Sequence, residues 1–320
     1  MNAARIVVVG SYATGLTMKV PRIPCAGETL LGAGYRVDFG GKGSNQAVGC
    51  ARLGAQVSFV AKVGQDSFSD MAFQLYRDED IDVSKLKKTS DAPTGVGFIV
   101  VDDKTGQNLI VLDPGANELL SAAEVAEAES TFRAASVVLT QLEIPVAAAQ
   151  AALACGRSAG AITILNPAPV RQLTAATLAS VDILTPNETE AKVLTGRAPD
   201  CSIEPQLLGR ELINSGVKQV VMTLGENGAL LISASSCQHF PAISVSAVDT
   251  TGAGDAFNAG LATALAHGAS LEEAVNFAIV TGAMAVTKEG VIPSLPNQDE
   301  VLAFLQQNKM PTPPWLAAYS

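Results

Sequence analysis

Histidine is almost missing from this chain: His239 and His267 are the only two in 320 residues. Histidine-centred catalysis is therefore not expected, and both suit surface or cap positions. Aromatic residues contribute only 5%, so the core has to be built from Ala, Val, Leu and Ile. Positive charge is also in deficit, with 21 Lys and Arg against 31 Asp and Glu and a net charge of −10. Such a chain repels phosphate backbones and anionic bilayers, so neither nucleic acid nor membrane is an expected partner. The five cysteines, Cys25, Cys50, Cys155, Cys201 and Cys237, are odd in number, far apart and free of CxxC spacing. That argues against a disulfide framework or a zinc knuckle and suits a reducing cytoplasm. No apolar run reaches the roughly 18 to 20 residues needed to cross a bilayer. The first apolar stretch, Ile6 to Val9, has no cleavage region and reads as a strand. Carboxylates, hydroxyls and backbone amides are left to carry any chemistry.

What is present is a large apolar fraction, 48% of the chain, which excludes disorder. At about 150 residues per domain the length suggests two domains, although one open α/β sheet can absorb most of it. Short β-branched runs alternate with helix-length segments: Ile6–Val9, a helix around Gln46–Leu53 closed by Gly54, then Val57–Val63, Ser136–Leu139, Ala161–Leu165, Asp182–Thr185 and Gln219–Thr223. This βαβ rhythm, with strands apolar on both faces, predicts a mainly parallel sheet covered by helices. Ser121 with Glu124, and Ser270 with Glu273, have capping-box spacing and mark helix starts. One region breaks the rhythm. Thr94–Val101, a polar turn at 102–106 and Asn108–Leu112 read as a β-hairpin with no intervening helix. It is either an antiparallel edge of the main sheet or a separate small sheet over the carboxyl ends of the strands, where ligands bind in such folds.

Four segments have the composition of a binding site. Val248 to Phe257 contains Asp249-Thr250-Thr251-Gly252-Ala253-Gly254-Asp255 and runs from a strand end through a tight loop into a helix. Gly252 and Gly254 let backbone approach a ligand, and free N–H groups at the helix start suit a phosphate. Asp255 can be held ionised there to accept a proton from a hydroxyl, or it is simply a cap. Gly40-Gly41-Lys42-Gly43-Ser44-Asn45-Gln46-Ala47 opens a second helix; it has neither the Walker spacing nor the dinucleotide fingerprint. Its bare backbone and the Asn45 amide suit a hydroxyl-rich small molecule. Asn187 and Glu190 form a capping-box pair or face a hydrated Mg²⁺ on nucleotide phosphates. Thr223-Leu224-Gly225-Glu226-Asn227-Gly228 suits a nucleotide shelf or a plain hairpin.

Taken together, in this order and spacing, these segments resemble the ribokinase branch of the PfkB carbohydrate kinase family, over nearly the whole chain. The resemblance implies a three-layer αβα fold with a mainly parallel sheet, one kinase domain over residues 1–320, and a small β lid formed from segments near 12–38 and 94–115. It implies ATP-dependent transfer of a phosphoryl group to a primary hydroxyl of a pentose or related sugar, with Mg²⁺ on the nucleotide. A nucleoside kinase of the same family, or a non-catalytic sugar- or nucleotide-binding regulator, is the alternative.

Carried residue by residue, the resemblance makes Asp255 the base and the amides of Gly252, Ala253 and Gly254 the anion hole. Asn187, Thr223, Gly225, Glu226, Gly228 and Gly254 would border the nucleotide, and Glu190 would hold its Mg²⁺. A K⁺ site would comprise Asp249, Thr251, Ala285, Lys288, Gly290 and Ser294, and a homodimer would form through the lid. The sugar would meet Tyr12, Thr14, Gly41, Lys42, Gly43, Ser44, Asn45, Glu143 and Asp255. One departure stands out. Where ribokinases carry an Asn-x-Asp pair that grips sugar hydroxyls, this chain has Ala13 and Gly15, and Tyr12 beside them offers a ring for stacking. Ile279 likewise replaces a residue that is often polar near the adenine. The resemblance alone implies that Ala13→Asn with Gly15→Asp raises kcat/KM for ribose, measured by coupled ADP release; an unchanged value would mean that the missing carboxylate is compensated elsewhere.

Overall fold

In the computed structural model, which describes residues 4–317, the apolar runs become strands in two sheets. The strands are β1 (Arg5–Val9), β2 (Ala13–Val20), β3 (Ala33–Gly40), β4 (Gln56–Gly64), β5 (Asp82–Thr89), β6 (Gly95–Asp102), β7 (Asn108–Asp113), β8 (Val137–Thr140), β9 (Ile162–Leu165), β10 (Ile183–Leu184), β11 (Gln219–Thr223), β12 (Ala229–Ile232) and β13 (Cys237–Phe240). Nine form the main sheet, in the order β13-β12-β11-β10-β9-β8-β1-β4-β5. It is parallel from β11 to β5 and antiparallel only at β12 and β13.

The layering follows from β1. Ile6 and Val8 join an apolar cluster with Ala47, Ala259 and Val275, whereas Val7 and Val9 join another with Ala149, Leu153 and Leu212. Successive side chains of a strand point to opposite faces, so helices cover both sides and the expected αβα sandwich is observed. On the first face the helices Lys42–Arg52 and Ala253–Ala266 approach closely, because Gly49 faces Ala259: a Cβ on Gly49 would lie 2.7 Å from the Ala259 methyl. Small residues at this crossing bring the two helix N-termini to one place at the carboxyl edge of the sheet.

The chain order fixes where that place is. From β1 the sheet grows one way through β4 and the other way through β8, so the strand order reverses between β1 and β8. Ligands of open α/β sheets bind at such a reversal, beyond the carboxyl ends. Here the ends of β1, β8, β9, β10 and β11 present Gly10-Ser11, Gln141 to Glu143, Asn166, Thr185 to Asn187 and Thr223 to Gly225 along one rim.

The hairpin of β6 and β7 belongs to the separate sheet, ordered β3-β2-β6-β7. Strand β2 enters it directly from the end of β1, pairing Gly15 with Asp38 of β3 and with Gly97 of β6. Every residue of the outer strand β7 is exposed, including Leu109, Ile110, Val111 and Leu112. Three strands escaped the sequence reading. Asp82–Thr89 carries three lysines, which suit a solvent edge but hide its strand character, and β12 and β13 follow a turn that the rhythm did not resolve.

Candidate active site

The site grows from two helix starts packed against strand ends. Gly41 adopts φ 88°, open to glycine alone at low cost, and a Cβ there would lie 2.7 Å from the Tyr12 Cα. Gly43 sits so close to Ser11 that a Cβ would come within 2.4 Å of its backbone nitrogen. The Ser44 N–H donates to the Ser11 carbonyl at 2.8 Å, locking the helix start to the end of β1. The first turn of this helix has no acidic residue; Glu143, beyond β8, supplies the charge. Its Oε2 accepts from the Lys42 N–H at 2.8 Å and from the Ser11 hydroxyl at 2.5 Å.

Asp255 lies in the first turn of the helix Ala253–Ala266 and is 5% exposed. A carboxylate buried this far has to be hydrogen-bonded. Its Oδ2 accepts from Asn45 Nδ2 at 2.8 Å and its Oδ1 from Gln46 Nε2 at 2.9 Å, so the second glycine loop holds the acid of the first. Gln46 is in turn fixed by Gln141 Nε2, which donates to its Oε1 at 2.5 Å, and donates to Asn166 Oδ1 at 3.1 Å. Asn166 Nδ2 reaches the Thr185 carbonyl, and the Thr185 hydroxyl donates to Asn258 at 2.6 Å. This buried chain aims Asp255 from beneath. Asn45 Oδ1 is buried and has no hydrogen-bond partner among the described residues.

Above Asp255 the start of the helix Ala253–Ala266 is open. Gly252 caps the helix in the left-handed region at φ 82°. A Cβ on Gly254 would meet nothing within 4 Å, so the first turn of the helix is open on that side, while the Ala253 N–H donates to the Thr250 carbonyl at 3.3 Å. Lys42 lies at the same mouth: the charge of Asp255, with Glu143 and Glu190, holds its ammonium above the usual lysine range against the opposing effect of burial. Glu190 is shifted upward, chiefly by burial, with Asp255 adding and the Asn187 N–H and Lys42 opposing. Asn187 and Glu190 do form a capping box, through Asn187 Oδ1 accepting from the Glu190 N–H at 2.8 Å and Glu190 Oε2 from the Asn187 N–H at 2.9 Å. Each keeps a second polar atom for other use. The Asn187 backbone bridges to Thr223, which brings these two segments together. Gly225, at φ 57°, is open on its Cβ side, whereas Gly228 is fixed by packing, since a Cβ would lie 2.0 Å from the Phe240 carbonyl; Glu226 is exposed between them.

Behind the Gly252 loop, Asp249 accepts from the Thr251 N–H at 2.9 Å and the Gly290 N–H at 3.0 Å. These bonds and the Thr251 hydroxyl outweigh its burial and keep its carboxyl below the usual range. Residues 285–294 therefore wrap around the acid of the loop. Ala285 and Ser294 are fully buried there, Lys288 donates its N–H to the Ala285 carbonyl, and Ser294 donates to the Val291 carbonyl. The Asp249 carboxylate, the backbone carbonyls of this segment and the Ser294 hydroxyl are oxygen ligands, a donor type that fits K⁺.

Three expected sugar contacts are corrected. Tyr12 and Thr14 are each fully buried and share a hydrogen bond of 3.2 Å, and Tyr12 packs edge-on to Tyr76 at 6.2 Å. Alternation along β2 turns both into the body, so Tyr12 has no face for stacking; burial pushes its hydroxyl up to about 12. Ser44 is equally sealed, beside the Tyr76 hydroxyl. Ile279 is also a core residue, 8% exposed in the helix Leu271–Ala285. The sequence reading missed Gln141, Asn166, Thr185, Asn258 and Asn117. Asn117 donates to the Tyr12 carbonyl and accepts its N–H at 3.0 Å, fixing the start of β2. An Asn-Pro-Ala-Pro run directly after a strand was the one available signal, at Asn166.

The model of the pfkB family carbohydrate kinase matches residues 3–298. The chain is 37% identical over 301 residues to a ribokinase of Haemophilus influenzae, covering 94% of this chain and 98% of that protein. It is 32% identical over 305 residues to a deoxyribokinase of Salmonella typhi, covering 95% and 99%. Among solved structures it is similar to Arabidopsis thaliana ribokinase complexed with ribose and ATP, with a TM-score of 0.86, 32% identity and coverage of 95% and 99%. The buried network is itself open to test. Gln46→Leu removes a donor from the buried Asp255 carboxylate and leaves Gln141 Nε2 and Asn166 Oδ1 without their partner, so chemical denaturation should show a loss of about 2–3 kcal/mol; wild-type stability would mean that the carboxylate does not depend on this bond.

Proposed function

This chain is an ATP-dependent carbohydrate kinase of the pfkB family, and we propose that it transfers the γ-phosphoryl group of ATP to the primary hydroxyl of a pentose, with ribose and 2-deoxyribose the leading candidates. The observation that carries this is the placement of Asp255: a buried, hydrogen-bonded carboxylate directly below an open helix N-terminus. In this reading the sugar lies over Gly41, Gly43 and Asn45, with Glu143 and Lys42 at its flank. Asp255 takes the proton of the attacking hydroxyl as the new O–P bond forms and the bond from the γ-phosphorus to the β-phosphate oxygen breaks, releasing ADP. The amides of Gly252, Ala253 and Gly254 receive the charge that develops on the transferring group. Lys42, kept cationic by its acidic neighbours, adds a counter-charge at the same mouth.

The nucleotide extends along Asn187, Thr223, Gly225, Glu226 and the Gly228 turn. Mg²⁺, held at the Glu190 and Asn187 end, neutralises phosphate charge when bound. Asp249, the carbonyls of Thr251, Ala285, Lys288 and Gly290 and the Ser294 hydroxyl would hold K⁺, which would supply positive charge next to the anion-hole loop. The sheet β3-β2-β6-β7 acts as a lid, and its exposed apolar strand β7 pairs two copies into a homodimer. Free cysteines at all five positions agree with a cytoplasmic enzyme, and among the described residues no helix is long and apolar enough to cross a membrane.

The direct experiment is ADP release with Mg²⁺ and K⁺ against a panel of pentoses, deoxypentoses, hexoses, polyols and nucleosides. Turnover confined to pentoses supports the reading; turnover on nucleosides alone, or ATP binding with no turnover, favours the nucleoside-kinase or regulator alternative. Asp255→Asn should lower kcat by about 10²- to 10⁴-fold with ATP affinity unchanged, and near-wild-type turnover would remove Asp255 from the role of base. Replacing K⁺ with Na⁺ should lower kcat, and indifference to the cation would remove the Asp249 site.

A further inference from the structure

The register of the small sheet puts a different carboxylate where the missing one would act. In the β2–β3 ladder Gly15 stands directly opposite Asp38 and Ala13 opposite Gly40. Residues opposite each other on an antiparallel pair share a face, so Ala13, Gly15, Asp38 and Gly40 point the same way. Arg36, two residues along β3, shares that face and reaches the body of the molecule, where its Nη1 donates to Glu289 at 3.1 Å. Glu289 precedes Gly290, whose N–H binds Asp249. The face is therefore the one turned toward the anion-hole loop and the acceptor site; on β2 and β3 its polar side chains are Thr17, Arg36 and Asp38, and Ile99, Ile110 and Leu112 continue it as an apolar surface across β6 and β7.

Asp38 is also held ready. Its Oδ2 accepts from the Thr17 hydroxyl at 3.1 Å and from Arg36 Nε at 3.0 Å, while Oδ1 has no hydrogen bond among the described residues. One oxygen fixes the carboxylate and the other is free. The side chain retains 39% exposure, so its free oxygen is accessible to a ligand. A Cβ at Gly15 would lie 3.6 Å from the Asp38 Cβ and 3.3 Å from the Ile99 methyl. An aspartate at 15 would thus stand against Asp38, like charge against like charge, so the two positions exclude each other.

We propose that Asp38 is the specificity-determining carboxylate of this enzyme: from β3 it accepts hydrogen bonds from the hydroxyls of a pentose at the end remote from the phosphorylated one, replacing the acid absent at Gly15. This rests on the pentose-kinase reading above and deepens it. Glycine at 15 is then not a loss of recognition but the space that the relocated carboxylate requires. Restoring Asp at 15 alone, which the family resemblance favours, sets two carboxylates against each other and weakens pentose binding.

The test is calorimetric binding of D-ribose and of ATP to the wild type, Asp38→Ala, Asp38→Asn, Gly15→Asp and the double variant Gly15→Asp/Asp38→Ala. Loss of a hydrogen bond to a charged acceptor should weaken ribose binding about 10- to 100-fold in Asp38→Ala, less in Asp38→Asn, with ATP affinity unchanged in both. Gly15→Asp should also weaken ribose binding, and the double variant should regain at least about tenfold over either single change. Wild-type ribose affinity in Asp38→Ala, no recovery in the double variant, or no ribose binding by the wild type each overturns the proposal. Binding is read without turnover, so a wild type that binds ribose yet transfers no phosphate contradicts the kinase reading and leaves Asp38 standing. ATP affinity reports folding of every variant.

Discussion

A carboxylate that is 5% exposed at the start of a helix constrains everything around it. Left unpaired in that setting an ionised acid would be costly, and the helix N–H groups alone do not satisfy both of its oxygens. The amides of Asn45 and Gln46 complete the set, and they can do so only if the helix Lys42–Arg52 crosses the helix Ala253–Ala266 closely enough, which the Gly49–Ala259 contact permits. Asparagine and glutamine side chains are short, so the ends of β1, β8 and β9 must converge too, to buttress them through Ser11, Gln141 and Asn166. The geometry of Asp255 is in this sense the product of three strand ends and two helix starts.

Electrostatics divide the mouth above that carboxylate. Glu143 lies beside the start of the helix Lys42–Arg52, Glu190 in the first turn of the helix Glu188–Leu194, and the charge of Lys42 feels both and Asp255. An acid at each end would repel a polyphosphate, and the lysine, the start of the helix Ala253–Ala266 and the open backbone at Gly254 would offset this in the proposed binding mode. The chain is acidic overall, so the attraction is local rather than a property of the whole surface. Local design of this kind suits small anionic ligands and gives a nucleic-acid backbone nothing to follow.

Much of this was legible in the residues. Apolar runs without alternation identify β1, β4, β8, β9 and β11, and capping-box spacing locates three helix starts, at Ser121, Asn187 and Ser270. The glycine loops announce backbone that must approach something closely, and they do so at Gly41, Gly43 and Gly252. What was not legible depends on pairing and parity. Tyr12 and Thr14 look like site residues beside a glycine loop, but only the direction of β2 shows that they face inward. Gln141, Asn166 and Asn258 are single polar residues far apart in sequence, and nothing local marks them as one chain of hydrogen bonds. Asp38 is the same case: its importance lies in the residue opposite, and register is a property of two strands rather than of either.

The central claim is that Asp255 faces the acceptor hydroxyl from below while Asn45 and Gln46 hold it. A crystal structure with ribose and a non-hydrolysable ATP analogue tests this most directly. The account predicts the primary hydroxyl oxygen within about 3 Å of the Asp255 carboxylate, in line with the terminal phosphate above Gly254, with both amide bonds intact. A sugar bound with its primary hydroxyl turned away from Asp255, or a terminal phosphate placed elsewhere than at the start of the Ala253–Ala266 helix, would contradict it.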